Sequence, residues 1–233
     1  MKVDVVILSD AKTDELRLVT QQGVNSCAGS DKSIDFNIIV IEQVEGVTYD
    51  NCQVHYSNDP FNYNKFLNKG ISLGSGKFVA LCNNDLVFNE NWCSIIIEGM
   101  NKYNLLSACP VCPHVQPHRL VGLKEEVYFG YRNSYEVSGW CIMINRNILK
   151  IIGKLNEDFP FWFADNAYSE QLKSHNIPHG LISKSVVEHL GSRTLNKLEQ
   201  GKKDGFTTDQ IKRFVEAHPE NESAVHFKQS LGL

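Results

Sequence analysis

The chain opens on an apolar run, VDVVILS over residues 3–9, the length of one strand. Behind it Leu16, Val19, Gly23 and Val24 recur at helical intervals and share one face. FNIIVIE at 36–42 is apolar at successive positions and rich in β-branched residues, as in a strand covered on both sides. QVHYS at 53–57 predicts a short third strand, and Phe66, Leu67, Gly70, Ile71 and Gly74 predict the helix after it. KFVALC at 77–82 then reads as a fourth strand. A helix over 90–103, facing inward through Ile95, Ile96, Gly99, Met100 and Tyr103, leads to a strand at LLSAC, 105–109.

Strands separated by helices of this length favour right-handed crossovers and a mostly parallel sheet with helices on both faces. The stretch 110–138 is rich in prolines, histidines and aromatics. It predicts loops and short strands over the carboxyl ends of the sheet, where open α/β folds place their ligands. Order returns with a strand at 140–144 and a helix running to 155, then a helix over 164–177 buried through Ala167, Tyr168 and Leu172. A strand from 180 ends in a small polar turn. Beyond Leu195 the sequence is charged and weakly patterned, except for a helix over 209–217. There is no internal repeat or low-complexity tract, so one α/β domain with a less regular tail is expected.

Composition narrows this little. With 233 residues and 42% hydrophobic content, the chain can bury one sizeable core. The formal charge of −4 is spread without an acidic block or basic arm, so the total does not point to nucleic acid. The first apolar run is too short for a signal peptide and no stretch is long enough to span a bilayer, which predicts a cytoplasmic protein. Seven cysteines, an odd number lying partly in apolar runs, predict reduced and buried thiols.

The chemistry begins at ALCNNDLVF, residues 80–88, where an apolar strand runs into two amides and a carboxylate. Asp85 at a strand exit suits a hard divalent cation gripping phosphate oxygens. It equally suits a turn in which the carboxylate accepts backbone N–H groups.

The wider context favours the first reading. FNYNKFLNKGISLGSGKFVALCNNDLVF, residues 61–88, resembles the stretch of GT-A glycosyltransferases of the large family 2 type in which an Asn-x-Gly helix precedes a strand ending in the metal-binding Asp-x-Asp motif. Asn68-Lys69-Gly70 supplies the helix signal and Asn83-Asn84-Asp85 the motif. The first carboxylate is Asn83 here, while the metal-holding one is kept as Asp85. VVILSD resembles the strand on the uridine side, with Ser9 and Asp10 at its exit, although the family's usual Pro-Thr-Tyr is absent. IIVIEQ at 38–43 resembles the strand that ends in an acidic residue near base and ribose, hence Glu42. FPFWFADNAYSEQLKSHNI at 159–177 resembles the segment with the family's Glu-Asp pair, in which Ala164 replaces Glu and Asp165 is kept. VEHLGSRT at 187–194 resembles the late histidine segment, hence His189. The likeness covers roughly residues 3–194 in order.

The resemblance implies a GT-A α/β domain over 1–195, with a nucleotide-sugar half at 1–106 and an acceptor-side half at 107–195, and a helical tail at 196–233. It implies transfer of a sugar from a nucleoside diphosphate sugar, a UDP-sugar foremost, to a hydroxyl, with Mn²⁺ or Mg²⁺ at Asp85 and His189. Asp165 is the expected base of an inverting reaction. Ser9, Asp10, Glu42, Asn68, Asn84 and Arg193 are expected at the donor, with Arg193 preferred over Lys184 because its fork suits phosphate oxygens. Trp140 and Trp162 are expected to wall the acceptor pocket. A saccharide acceptor ranks above a hydroxylated DNA base, which would have to be flipped into that pocket.

Other readings stay open. A nucleotidyltransferase normally has a Gly-rich basic loop after the first strand, whereas SDAKTDELRL is poor in glycine. A binding module without catalysis fits the two missing carboxylates at Asn83 and Ala164. CPVCPHVQPH, 109–118, offers Cys109, Cys112, His114 and His118 either as zinc ligands or as part of a loop over the donor site.

Overall fold

A computed structural model describes residues 1–120, 122–191, 200–221, 224–225 and 228, with the backbone alone for 200–208. The strands are β1 (Lys2–Ser9), β2 (Asp35–Glu42), β3 (Gln53–Tyr56), β4 (Phe78–Cys82), β5 (Leu86–Phe88), β6 (Ser107–Val111), β7 (Val127–Phe129), β8 (Cys141–Asn145) and β9 (His179–His189). The helices are α1 (Asp14–Gly29), α2 (Tyr63–Leu73), α3 (Trp92–Lys102), α4 (Gln116–Arg119), α5 (Leu149–Ile152), α6 (Ala164–Ser174) and α7 (Gln200–Ala217).

They form one sheet in the order β3-β2-β1-β4-β8-β6-β9-β5, with β7 also on β9. β1 to β4 are mutually parallel, as are β6 and β9, whereas β8 runs against both β4 and β6. Alternate residues of each central strand serve opposite layers. Val3, Val5 and Ile7 pack with Leu16 and Val24 of α1 and Ile96 and Met100 of α3. Val6 and Leu8 pack with Phe66 and Leu67 of α2 and Tyr168 and Leu172 of α6. This is the expected single α/β domain. Gly70 lets α2 close on the sheet, because a Cβ there would lie 2.2 Å from Val6 Cγ1.

Several elements differ from the sequence reading. β5 follows the NND turn directly, too short to show a period. The helix expected to reach 155 is a tight turn at Arg146–Ile148 followed by one turn of helix, α5. Gly153, at φ 74°, ends it. α6 stops at Ser174, just before Asn176 at φ 52°. The last helix begins at Gln200 rather than 209.

Two buried polar clusters tie distant segments together. At the amino ends of the strands, Asp4 accepts from Gly76 N–H at 2.6 Å, Asn37 Nδ2 at 2.8 Å and Arg146 Nη2 at 2.6 Å. Behind β6, Tyr168 donates to Ser107 Oγ at 2.7 Å, Ser107 Oγ lies 2.7 Å from His179 Nδ1, and His179 Nε2 lies 3.0 Å from the Glu136 carbonyl. That carbonyl can only accept, so Nε2 carries a proton, and Ser107, which accepts from Tyr168, is left to donate to the bare Nδ1 of a neutral ring.

Burial pushes the His179 pKa down to about 4, against the opposing pull of the Glu136 carbonyl and charge. The unfolded chain protonates this imidazole near pH 6.5 and the folded chain does not until about pH 4, so the associated stability is complete above pH 6.5 and is lost as the pH falls between the two. The loss is expected to reach about 3 kcal/mol. Urea titrations from pH 7.5 to 4 measure it, and NMR should find the His179 ring neutral at pH 5.5.

Candidate active site

β4 is buried along its whole length and delivers Asn83, Asn84 and Asp85 to its carboxyl end. The chain turns at once into β5, where Leu86 pairs with His189 of β9. That register brings His189 Nε2 to 3.2 Å from Asp85 Oδ1, while Leu190 N–H holds the Asp85 carbonyl at 3.0 Å. Asp85 is 4% exposed, and its second oxygen, Oδ2, is buried with no partner. An unmatched carboxylate oxygen is costly to bury, and an incoming cation or donor removes that cost. The residues therefore fit a divalent ion. Among the described residues no three His, Cys, Asp or Glu side chains converge, so such an ion would also need oxygens from a bound molecule.

The His189 ring stacks on Trp140 at 5.8 Å and 12°. Trp140 precedes β8, and its carbonyl accepts from Asn83 N–H at 2.9 Å. Both rings face a cavity of about 390 Å³ lined also by Tyr63, Asn83, Gly139, Trp162 and Asp165. Asp165, His189, Trp140 and Trp162 thus share one pocket.

Asp165 lies in the first turn of α6, after Phe163 at φ 65°. Its Oδ1 accepts the Asn166 N–H at 2.9 Å. Burial raises its pKa, and the nearby Asn133 amide and the backbone N–H groups of Asn166, Asp165 and Gly139 oppose the rise. Gly139 is needed beside it, since a Cβ there would stand 2.9 Å from Asp165 Cβ. Tyr63, which sequence reasoning missed, reaches Asn83 Oδ1 at 2.9 Å and the Gly139 carbonyl at 2.6 Å. Burial pushes the Tyr63 hydroxyl pKa well up, so it stays a donor.

Several residues expected at the donor make hydrogen bonds within the protein. Asn68 is bonded to the segment that follows α5: its amide donates to the Leu155 carbonyl and Glu157 Oε1, both at 2.9 Å, and its Oδ1 accepts Leu155 N–H at 3.0 Å. Asn62 and Asn64 act alike, donating to the carbonyls of Glu157 at 2.7 Å and Asn156 at 2.6 Å. These amides of α2 position the segment that leads into Asp165. Glu42 is fully buried. Its Oε1 accepts the N–H groups of Ala11, Gln43 and Val44 at 3.1, 2.9 and 2.9 Å, and Oε2 accepts from Tyr49 at 2.7 Å. Both carboxylate oxygens thus bond within the protein, at the junction of the β1 and β2 exits. Ser9 and Asn84 are buried as well, and both bond inward to Thr20 Oγ1 at 2.9 Å. Asp10 stays at the β1 exit, paired with Lys12, with Oδ1 buried and unpartnered. Arg193 lies outside the described residues.

The loop at 109–118 does not gather its cysteines and histidines. Cys109 is buried, accepts Ser138 N–H at 3.3 Å, and has its thiol pKa pushed up to about 12 by burial. His114 points to Glu188, 3.6 Å away. The aromatic run before Asp165 rests on α7: Phe214 stacks on Phe163 at 4.7 Å and meets Phe159 edge-on at 5.5 Å. α7 also accepts Phe161 N–H at Gln210 Oε1, 3.1 Å. Weak patterning past Leu195 hid this contact.

Solved structures with this architecture include S. aureus TarS 1-349, with 13% identity and a TM-score of 0.60 over 94% of this chain and 74% of that one. The fold is that of GT-A glycosyltransferases. The same TarS fragment in complex with UDP-GlcNAc matches with a TM-score of 0.58 at 15% identity, covering 93% of this chain and 73% of the other. The mannosyltransferase PcManGT from Pyrobaculum calidifontis, in complex with GDP-Man and Mn²⁺, matches at 0.63 and 10% identity over 94% and 65%. No protein-family model matches the chain, and no curated protein matches it by sequence. Among the described residues, no helix of this GT-A chain is long and apolar enough to cross a membrane.

The raised pKa of Asp165 has a sign that stability can test. Above that pKa the fold holds a charge that burial disfavours, so Asp165→Asn is expected to raise the urea midpoint at pH 7.5. The gain should shrink as the pH falls through the raised pKa toward the ordinary carboxylate range, where the unfolded chain also binds the proton.

Proposed function

We propose that the protein is a metal-dependent glycosyltransferase that moves a sugar from a nucleoside diphosphate sugar, foremost a UDP-sugar, to a saccharide hydroxyl with inversion. The observation that carries this reading is the pairing of Asp85, with its unpartnered Oδ2, and His189, which lines the same pocket as Asp165. Mn²⁺ or Mg²⁺ held by Asp85 and His189 would neutralise charge on the departing diphosphate. Residues 1–106 would bind the nucleotide, with Asp10 at the β1 exit and Ser9 and Glu42 shaping the cleft beneath it.

Asp165 takes the proton from the acceptor hydroxyl. Its raised pKa brings it closer to the operating pH, which strengthens a base that must still be mostly ionised there. Trp140 and Trp162 offer apolar faces to sugar rings, and Tyr63 fixes the Gly139 backbone beside the base. The charge of −4 favours a saccharide acceptor over DNA. The unpartnered oxygen of Asp85, beside a histidine that lines the pocket of the buried base, argues against a module that has lost catalysis, and the cytoplasm is the compartment where sugar nucleotides would meet this chain.

Calorimetry with UDP and GDP tests the metal site. Asp85→Asn should abolish the Mn²⁺-dependent part of binding while leaving the thermal transition cooperative; unchanged binding removes Asp85 from the site. Asp165→Asn should keep donor and metal binding yet lower turnover by about 10²- to 10⁴-fold. In the wild type, kcat/KM should fall at acid pH as Asp165 protonates, and NMR of the product should show an inverted anomeric centre.

A further inference from the structure

We propose that Thr20 of α1 is a positioning residue for Asp85, acting through a buried chain of hydrogen bonds that runs from Glu42 to Asn84. This rests on the metal-dependent reading above and deepens it, since it ties the nucleoside end of the cleft to the diphosphate end.

The chain is continuous. Tyr49 OH donates to Glu42 Oε2 at 2.7 Å, and Ser9 Oγ lies 3.2 Å from Tyr49 OH and 2.9 Å from Thr20 Oγ1. Asn84 Nδ2 donates to Thr20 Oγ1 at 2.9 Å. Every member is buried, and Thr20 and Glu42 are 0% exposed, so water does not substitute for a lost partner. With the Asn84 amide and the Glu42 carboxylate as fixed ends, protons can run one way: Asn84 to Thr20, Thr20 to Ser9, Ser9 to Tyr49, and Tyr49 to Glu42. Each hydroxyl then donates toward the carboxylate and accepts from behind, an arrangement in which neighbouring bonds polarise one another. In the other arrangement Thr20 donates to the Leu16 carbonyl, 3.1 Å away, and Asn84 stays bonded to it.

The placement of the two ends gives the chain its consequence. Asn84 directly precedes Asp85, so fixing its side chain fixes the peptide that aims the Asp85 carboxylate at His189. Glu42 also holds Ala11 N–H beside Asp10, and the same network sets the β1 exit. Thr20 touches neither a proposed ligand nor the metal site, and it acts only through Asn84. Helix α1, which packs on β5 and β2 and lies with Gly23 against the Asn84 carbonyl, supplies the rigid base this requires.

Substitutions that separate shape from hydroxyl test it. Thr20→Val keeps the shape and deletes the hydroxyl, while Thr20→Ser keeps the hydroxyl and loses a methyl. Calorimetry of the full chain with UDP and with GDP, each with and without Mn²⁺, is the readout. Thr20→Val and Tyr49→Phe are expected to weaken the Mn²⁺-dependent binding by about 3- to 10-fold, the effect of one hydrogen bond. Thr20→Ser should stay within about twofold of wild type, and the Thr20→Val/Tyr49→Phe double variant should lose less than the product of the two single effects.

Ile96→Val, which removes one methyl from the core face of α3 away from the pocket lining, controls for lost stability. If Ile96→Val weakens Mn²⁺-dependent binding as much as Thr20→Val does, or if Thr20→Ser is impaired and Thr20→Val is not, Thr20 acts through packing and the inference falls. Wild-type binding that depends on Mn²⁺ but is unchanged in every variant overturns this inference alone. Wild-type protein whose nucleotide binding ignores Mn²⁺ overturns the proposed function together with it.

Discussion

The site depends on a reversal of strand direction in the middle of the sheet. β8 runs against β4, so the start of one lies beside the end of the other, with Cys141 opposite Cys82. In a fully parallel sheet the chain before β8 would enter at the far edge. Here Gly139 and Trp140 arrive next to Asn83 and Asp85, and the Asn83–Trp140 backbone bond seals the junction. β9 then passes the same corner and returns His189 to Asp85 through its pairing with β5. Residues far apart in sequence converge because adjacent strands in this region end and begin at one place.

The convergence is held by amides more than by ion pairs. Asn62, Asn64 and Asn68 reach from α2 to the carbonyls before Asp165, where the backbone is irregular and has few partners of its own. Asparagine offers both donor and acceptor without a charge to desolvate, so three of them fasten a loop at lower cost than buried charges would. The ion pair between Asp4 and Arg146 sits at the opposite end of the strands, where Arg146 also donates to the Gly76 and Ile71 carbonyls at 2.8 Å. The two ends of the sheet are fastened by different chemistry, and at the end with the pocket Asp85 and Asp10 each keep one buried carboxylate oxygen without a partner.

The sequence displayed the layered architecture because buried strands and helical faces leave periods that survive without neighbours. It also placed Asp85, Asp165, His189, Trp140 and Trp162 at element ends that share one region. For Ser9, Glu42 and Asn84 the position along the strand was legible and the direction of bonding was not. Their partners, Thr20 and Tyr49, come from other elements, and no local pattern marks a threonine whose hydroxyl faces two buried neighbours. Asn68 was marked by its likeness to an Asn-x-Gly helix, and a motif of that kind does not show the bonds its amide makes to Leu155 and Glu157. β5 and the aromatic support from α7 were hidden by brevity and by weak patterning respectively.

The stacking of Phe214 on Phe163 bears on how the molecule is made. Phe159, Phe163 and Phe214 form a cluster apart from the two that cover the sheet, so release of α7 alone would uncover the aromatic wall while both helical layers stay packed. The wall behind the pocket is then the part of the fold that one late helix makes or unmakes in building the molecule.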